Sequence, residues 1–174
     1  SLKHIRECDM RLLSYRAKCG DAFHLQYEGE SGKRRNIFLD MGHTKTYTQV
    51  LKGVISNIVR ASEQIDALFL SHIHDDHIGG ASRFINDIQK DSALGNVVIR
   101  WIYNAPRKYD VEETDDKKAG VLCGIVSGDK VYEHILSHRP TDLGDVLEGM
   151  SFNIDGMIVT ILSPNESKLN LLRR

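Results

Sequence analysis

Residues 71 to 80 read Ser71-His72-Ile73-His74-Asp75-Asp76-His77-Ile78-Gly79-Gly80. Three imidazoles and a carboxylate follow one another at intervals of two, two and one, directly after the apolar run Ala67-Leu68-Phe69-Leu70. With no cation to bind, such a cluster would set like-natured rings side by side and leave lone pairs without donors. The pattern points to a metal. Imidazole nitrogen with carboxylate oxygen suits zinc first; iron(II), manganese and nickel accept the same donors, whereas calcium and magnesium favour oxygen shells. No Cys lies in the cluster, which disfavours a closed thiolate-type structural site. In an extended backbone His72 and His74 face the same way, while Asp76 and His77 follow a turn, so the spacing suggests two neighbouring ions rather than one. His72, His74, Asp76 and His77 are the candidate metal ligands.

HIHDDHIGG resembles the HxHxDHxGG signature of the metallo-β-lactamase superfamily. The resemblance implies that His72 and His74 take a first metal, Asp76 and His77 a second, and that Asp75 occupies the variable position. Asn36-Ile37-Phe38-Leu39-Asp40-Met41-Gly42 resembles the family's strand ending in Asp-x-Gly, which implies that Asp40 lies beneath the metal loop. On the residues alone, an Asp that opens a turn before a helix is an equal reading. Cys19-Gly20-Asp21-Ala22-Phe23-His24-Leu25 is similar to the opening hairpin of the branch related to DNA-uptake competence proteins. Met157 to Pro164 is similar to the strand and Ser-Pro turn that close the first half of that branch.

The likeness runs from about Leu12 to Pro164. It implies an α/β fold, a metallo-β-lactamase-like αββα sandwich, with residues 1–174 supplying the N-terminal αβ half and its closing strands. The family's second half, with an Asp bridging both metals and a later His, is expected outside this sequence or on a second polypeptide.

A bound divalent ion lowers the pKa of water to about 7, and two ions about 3.5 to 4 Å apart steady both attacking and leaving oxygens. The expected activity is therefore hydrolysis by a metal-bound hydroxide, with Asp76 orienting the water as the catalytic residue. The competence-like resemblance implies a phosphodiester substrate, nucleic acid included. The alternatives are a lactonase or β-lactam-type ester or amide hydrolase, and a metal-stabilised interaction module. That module would pair with a second copy or a complementing chain through an exposed sheet edge. Ser71 lacks a series of base and orienting groups, so a serine-hydrolase reading has no support.

Other histidines are weaker candidates. His134 and His138 lie four apart at an expected helix end; His138 falls roughly where some relatives place a third ligand, against the simpler reading of a cation favoured at a helix C-terminus. His24 and His43 could approach the metals, His43 because it follows the Asp40 turn, but both are expected at the surface or on the rim.

The elements that must position the cluster are also legible. Met10 to Tyr15, Ala22 to Tyr27 and Asn36 to Asp40 read as a β-meander, with a polar turn over 28–35. From Tyr47 the apolar residues Val50, Leu51, Val54, Ile55, Ile58 and Val59 recur at three and four, predicting an amphipathic helix to about Ser62. Ala67 to Leu70 is apolar throughout, as a central strand covered on both faces should be, and the cluster leaves its carboxyl end. Gly79 and Gly80 permit close backbone approach, and Phe84, Ile85 and Ile88 mark the next helix. A strand over Asn96 to Tyr103, a charged stretch from Tyr109 to Lys118 read as a solvated connection or a lid, a helix from Ala119 to Leu136, and strands Ser151 to Ile154 and Met157 to Leu162 complete the series.

At 174 residues, 41% hydrophobic and 27% charged, the chain can bury one ordinary core and is not of disordered composition. Its formal net charge of −1 supplies no overall field to draw a polyanion. Three Cys at scattered positions, without a signal-type or membrane-length apolar run, read as reduced thiols in the cytoplasm, with no membrane partner.

Overall fold

The computed structural model describes residues 9–105 and 119–171; the whole stretch from Tyr109 to Lys118, read as a connection or lid, lies outside them. A five-stranded sheet runs in the order β1 (Arg11–Ser14), β2 (Phe23–Glu28), β3 (Arg34–Leu39), β4 (Ala67–Leu70), β5 (Trp101–Tyr103). The first three pair antiparallel, as the meander reading requires, and β3, β4 and β5 pair parallel. β4 is an interior strand, paired with β3 on one side and β5 on the other.

Alternation along the strands divides the core between two faces. Phe38, Leu68, Leu70, Trp101 and Tyr103 point to one face, where they meet Leu51, Ile55, Phe84, Ile85, Val131 and Ile135 of the covering helices. Tyr27, Ile37, Ala67 and Ile102 point to the other, where the hairpin β6 (Ser151–Ile154) and β7 (Met157–Thr160) lays down Phe152, Ile154, Met157 and Val159. Phe69 meets Phe152 edge-on, with centroids 5.9 Å apart. Helices, sheet and hairpin thus form three layers of a mixed α/β fold, a partial form of the expected sandwich.

Several elements differ in detail from the sequence reading. The amphipathic helix starts earlier, at α1 (Thr44–Thr46), passes through a π-helical segment Tyr47–Leu51, and continues as α2 (Lys52–Arg60). Tyr47 is buried there and donates to Asp87 at 2.9 Å, a tertiary contact that local periodicity cannot register. β5 is shorter than the expected strand because the chain at Val98 makes only an isolated bridge, with Ile65, before Ile99 and Arg100 turn to solvent. The helix α3 (Asp75–Ile88) begins inside the His-Asp cluster, with His74 as its N-cap. Asp76 and His77 therefore sit in a first helical turn, where the helix dipole favours a carboxylate. α4 (Ala119–His138) extends two residues beyond expectation, and a short α5 (Glu166–Leu171) follows the Ser-Pro turn. No helix among the described residues is long and apolar enough to cross a membrane.

Candidate metal centre

Three backbone contacts bring the cluster to its place. Asp40 leaves β3 at a positive φ of 55° and donates its N–H to the Phe69 carbonyl, which sets the ends of β3 and β4 side by side. Gly80 donates to the Gly42 carbonyl at 2.7 Å; a Cβ on Gly80 would stand 2.1 Å from the Met41 carbonyl oxygen, so this approach requires glycine. Gly20, in the turn between β1 and β2, lies against Asp76 so closely that a Cβ there would be 1.7 Å from its carbonyl oxygen. The opening hairpin thus folds directly onto the His-Asp loop.

Within the loop the rings of His72 and His74 stand edge to face with centroids 4.8 Å apart, and those of His72 and His77 are 4.1 Å apart. Burial, then the neighbouring His77 and His74, hold the His72 imidazole below its usual pKa, against a smaller opposing effect of Asp40 and Asp76. The neutral ring is the form that ligates metal.

Asp40 is the organiser. Its carboxylate accepts the Ser71 backbone N–H at 2.8 Å, the Ser71 hydroxyl at 2.6 Å and the His77 Nδ1 proton at 2.8 Å. Ser71 Oγ also lies 2.8 Å from His72 Nδ1. A carboxylate oxygen only accepts, so the Ser71 proton goes to Asp40 and His72 Nδ1–H donates to Ser71. By this network both His72 and His77 carry their proton on Nδ1 and leave Nε2 free, the arrangement that second partners impose on metal-binding imidazoles. Asp76 Oδ2 lies 3.8 Å from that Nε2 of His77.

Asp21 approaches the other edge, with Oδ2 3.8 Å from His77 Nδ1. Asp21, Asp40 and His77 are the one set of three ligand-type side chains among the described residues whose donor atoms all fall within 4.8 Å of one another. His72, His74 and Asp76 join no such set of three. Of the four expected ligands only His77 belongs to that set; His72 neighbours His74 and His77 by its ring, and Asp76 lies against His77.

The remaining candidates fall elsewhere. His43 sits on the rim, with Nδ1 3.1 Å from Asp75 Oδ2 and Nε2 3.3 Å from Cys19 Sγ. This thiol–imidazole–carboxylate chain joins residues 19, 43 and 75, and Ser127 of α4 completes it by donating to Asp75 at 3.3 Å. Spacing in the sequence gave no sign of it. His24 is not at the surface as expected. It is fully buried on β2, stacked on Phe38 at 4.1 Å and hydrogen-bonded between Tyr15 and Asn36, because its strand register points it into the core. His134 and His138 do not reach the cluster. α4 touches the loop at Gly124, against the Ile73 carbonyl, and His138 lies fourteen residues on, about 20 Å along the helix axis. There both line a small cavity with Trp101.

A cleft of about 270 Å³ opens at the carboxyl ends of the strands, with Asp21, Asp40 and Ser71 on its polar side and Phe23, Phe69 and Ile102 on its apolar side. That is the position where open α/β sheets bind ligands.

The metallo-β-lactamase superfamily model matches residues 29–153, which include the strand ending at Asp40 and the whole His-Asp loop. The chain belongs to that superfamily. No curated protein matches it. Membership in the metallo-β-lactamase superfamily points to metal binding and to metal-dependent hydrolysis. The residues fit such a metal: Asp21, Asp40 and His77 bring carboxylate and imidazole donors within 4.8 Å of one another at the end of β4, and Asp40 holds His77 directly and His72 through Ser71.

Proposed function

We propose that this metallo-β-lactamase-type chain is a metal-dependent phosphodiesterase, with nucleic acid among its substrates. The observation that carries the reading is the double hold of Asp40, directly on His77 and through Ser71 on His72, which engages the Nδ1 of both rings and leaves both Nε2 atoms available as donors to a metal. His72 and His74 would hold one ion and Asp76 and His77 a second, with Asp21 at the margin; zinc is the expected metal, and iron or manganese suit the same donors. A divalent ion held there supplies a nucleophilic water at neutral pH by lowering its pKa to about 7.

Asp76 acts as the orienting group, accepting a hydrogen bond from the attacking water. Asp40 keeps His72 and His77 from rotating. The apolar wall formed by Phe69 and Ile102 excludes bulk water from one side of the cleft. The opening hairpin, which resembles that of competence-related relatives, supports a phosphodiester over a lactam. A chromogenic diester, bis(p-nitrophenyl) phosphate, tests this: turnover with zinc, manganese or iron that is abolished in His72→Ala/His74→Ala supports the reading. No turnover with any of the three metals fully loaded would overturn it.

The apolar wall also favours a second reading, hydrolysis of a small lactone or β-lactam, and faster turnover of such esters than of the diester would select it. A second polypeptide belongs to the same proposal. β1 forms one edge of the sheet and exposes Leu12, with Met10 exposed just before it, which suits pairing with another chain. A solution mass of one chain alone would remove that part.

A further inference from the structure

A second cavity, about 530 Å³, adjoins the loop, sharing Asp75 with it and His43 with its rim. Three cations line it: Arg16 and Lys18 from the turn after β1, and Lys45 from the first turn of α1. They are distant in sequence, and the contact of the opening turn with the loop brings them to one mouth. Among the described residues none of the three has a carboxylate partner. By contrast Arg35, Lys52 and Arg83 each lie within 4 Å of one. Asp75, the acidic residue of the lining, is occupied by His43 at 3.1 Å and Ser127 at 3.3 Å. Lys18 is also held at φ 59°, a backbone region that a long side chain rarely occupies. With a formal net charge of −1, the chain has no general cationic surface, so this positive mouth is local.

We propose that the cavity is a second phosphate subsite: it receives a phosphate of a single nucleic-acid strand next to the one presented at the metal centre. The inference rests on the phosphodiesterase reading and narrows its substrate to a polymeric diester. Unpaired guanidinium and ammonium groups displace the condensed counterions of such a strand, and each contact weakens with salt. A diester with a single phosphate engages the metal centre and leaves these cations idle.

The test compares Arg16→Ala/Lys18→Ala/Lys45→Ala with a charge-matched control, Arg60→Ala/Lys90→Ala/Lys168→Ala, which alters exposed cations elsewhere. Substrates are a fluorescein-labelled thymidine dodecamer and bis(p-nitrophenyl) phosphate, on zinc-loaded protein checked for folding by circular dichroism. The expected result is a rise of about tenfold in KM for the dodecamer, with the small diester unchanged and the control within twofold of the parent. The salt slope of dodecamer binding, read by anisotropy, should fall by about 0.7 for the one strand phosphate no longer neutralised. An unchanged dodecamer KM, equal losses on both substrates, or an equal loss in the control overturns the subsite. If neither substrate is cleaved with zinc, manganese or iron loaded, the phosphodiesterase reading fails by itself, and anisotropy decides the subsite. Binding by the parent that the triple variant loses upholds it, and absence of binding or equal binding rejects it.

Discussion

Among single residues Asp40 carries the most. It is 6% exposed, and what offsets its burial is a set of three donors, two on Ser71, which in turn holds His72, and one on His77 itself. Asp40→Ala removes the acceptor and leaves both rings free to rotate; zinc affinity, read by competition with a chelating dye, should fall about 10- to 100-fold. Unaltered affinity would show that the imidazoles need no such support. His134 makes a prediction of a different kind. Burial, and secondarily the stacked His138, push its pKa from the usual 6.5 down to about 4, and among the described residues its buried Nδ1 has no partner. The folded chain therefore prefers neutral His134, and the unfolded chain takes up the proton first. That preference stabilises the fold above pH 6.5 and is lost as pH falls from 6.5 toward 4, a loss on the order of 2 to 3 kcal/mol. The urea midpoint should be level from pH 8 to 7 and decline below 6.5. In His134→Leu the decline should be shallower, with the lowered pKa of His24 supplying part of what remains. A profile identical to the parent's would exclude His134 as its source.

At the scale of elements, the sequence already told most of the story of positioning, and its failures have causes. The apolar run 67–70 and the ligand cluster after it needed only local patterning to be placed at the end of a central strand. The entry of Asp76 and His77 into a helix, the π-helical turn at Tyr47–Leu51 and the burial of His24 depend on contacts between distant residues. Tyr47 with Asp87, and His24 with Asn36, are such pairs, and spacing along one strand or helix carries no trace of them. The Cys19–His43–Asp75 chain was hidden for the same reason. Close element contacts also reverse an ordinary expectation. Ala for Gly inside a helix normally adds about 1 kcal/mol of stability. Gly124 lies within α4, yet a Cβ there would meet the Ile73 carbonyl oxygen at 2.3 Å. Gly124→Ala should therefore displace the loop between His72 and His74 and weaken zinc binding, while helix content by circular dichroism stays level or rises. Full zinc affinity in that variant would show that α4 can retreat without moving the loop.

The whole molecule depends on how the β6–β7 hairpin is fastened over the sheet. Its turn residue Asp155 accepts the Ser31 backbone N–H at 3.0 Å, the Ser31 hydroxyl at 2.5 Å and Arg35 Nε at 2.8 Å. Arg35 also reaches Asp66 at 2.9 Å. These bonds, led by those from Ser31 and Arg35, hold the Asp155 carboxyl below the usual range. Tyr27 adds a hydrogen bond to the Ile154 carbonyl. The clasp lies at one end of the hairpin, whereas Val146, Ile161 and Pro164, from the chain flanking it, form the far wall of the cleft beside Asp40 and Ser71. Loosening the clasp should thus be felt at the cleft without touching any proposed ligand. Asp155→Ala is expected to expose the apolar layer of Leu25, Phe69 and Ile102, read as increased binding of a hydrophobic dye and faster proteolysis within 145–165. Zinc content should remain that of the parent, because the His-Asp loop is held from the opposite face by α3, α4 and the first hairpin. If the variant instead loses its metal while the hairpin stays protected from protease, the two faces of the sheet are coupled more tightly than this division of contacts provides.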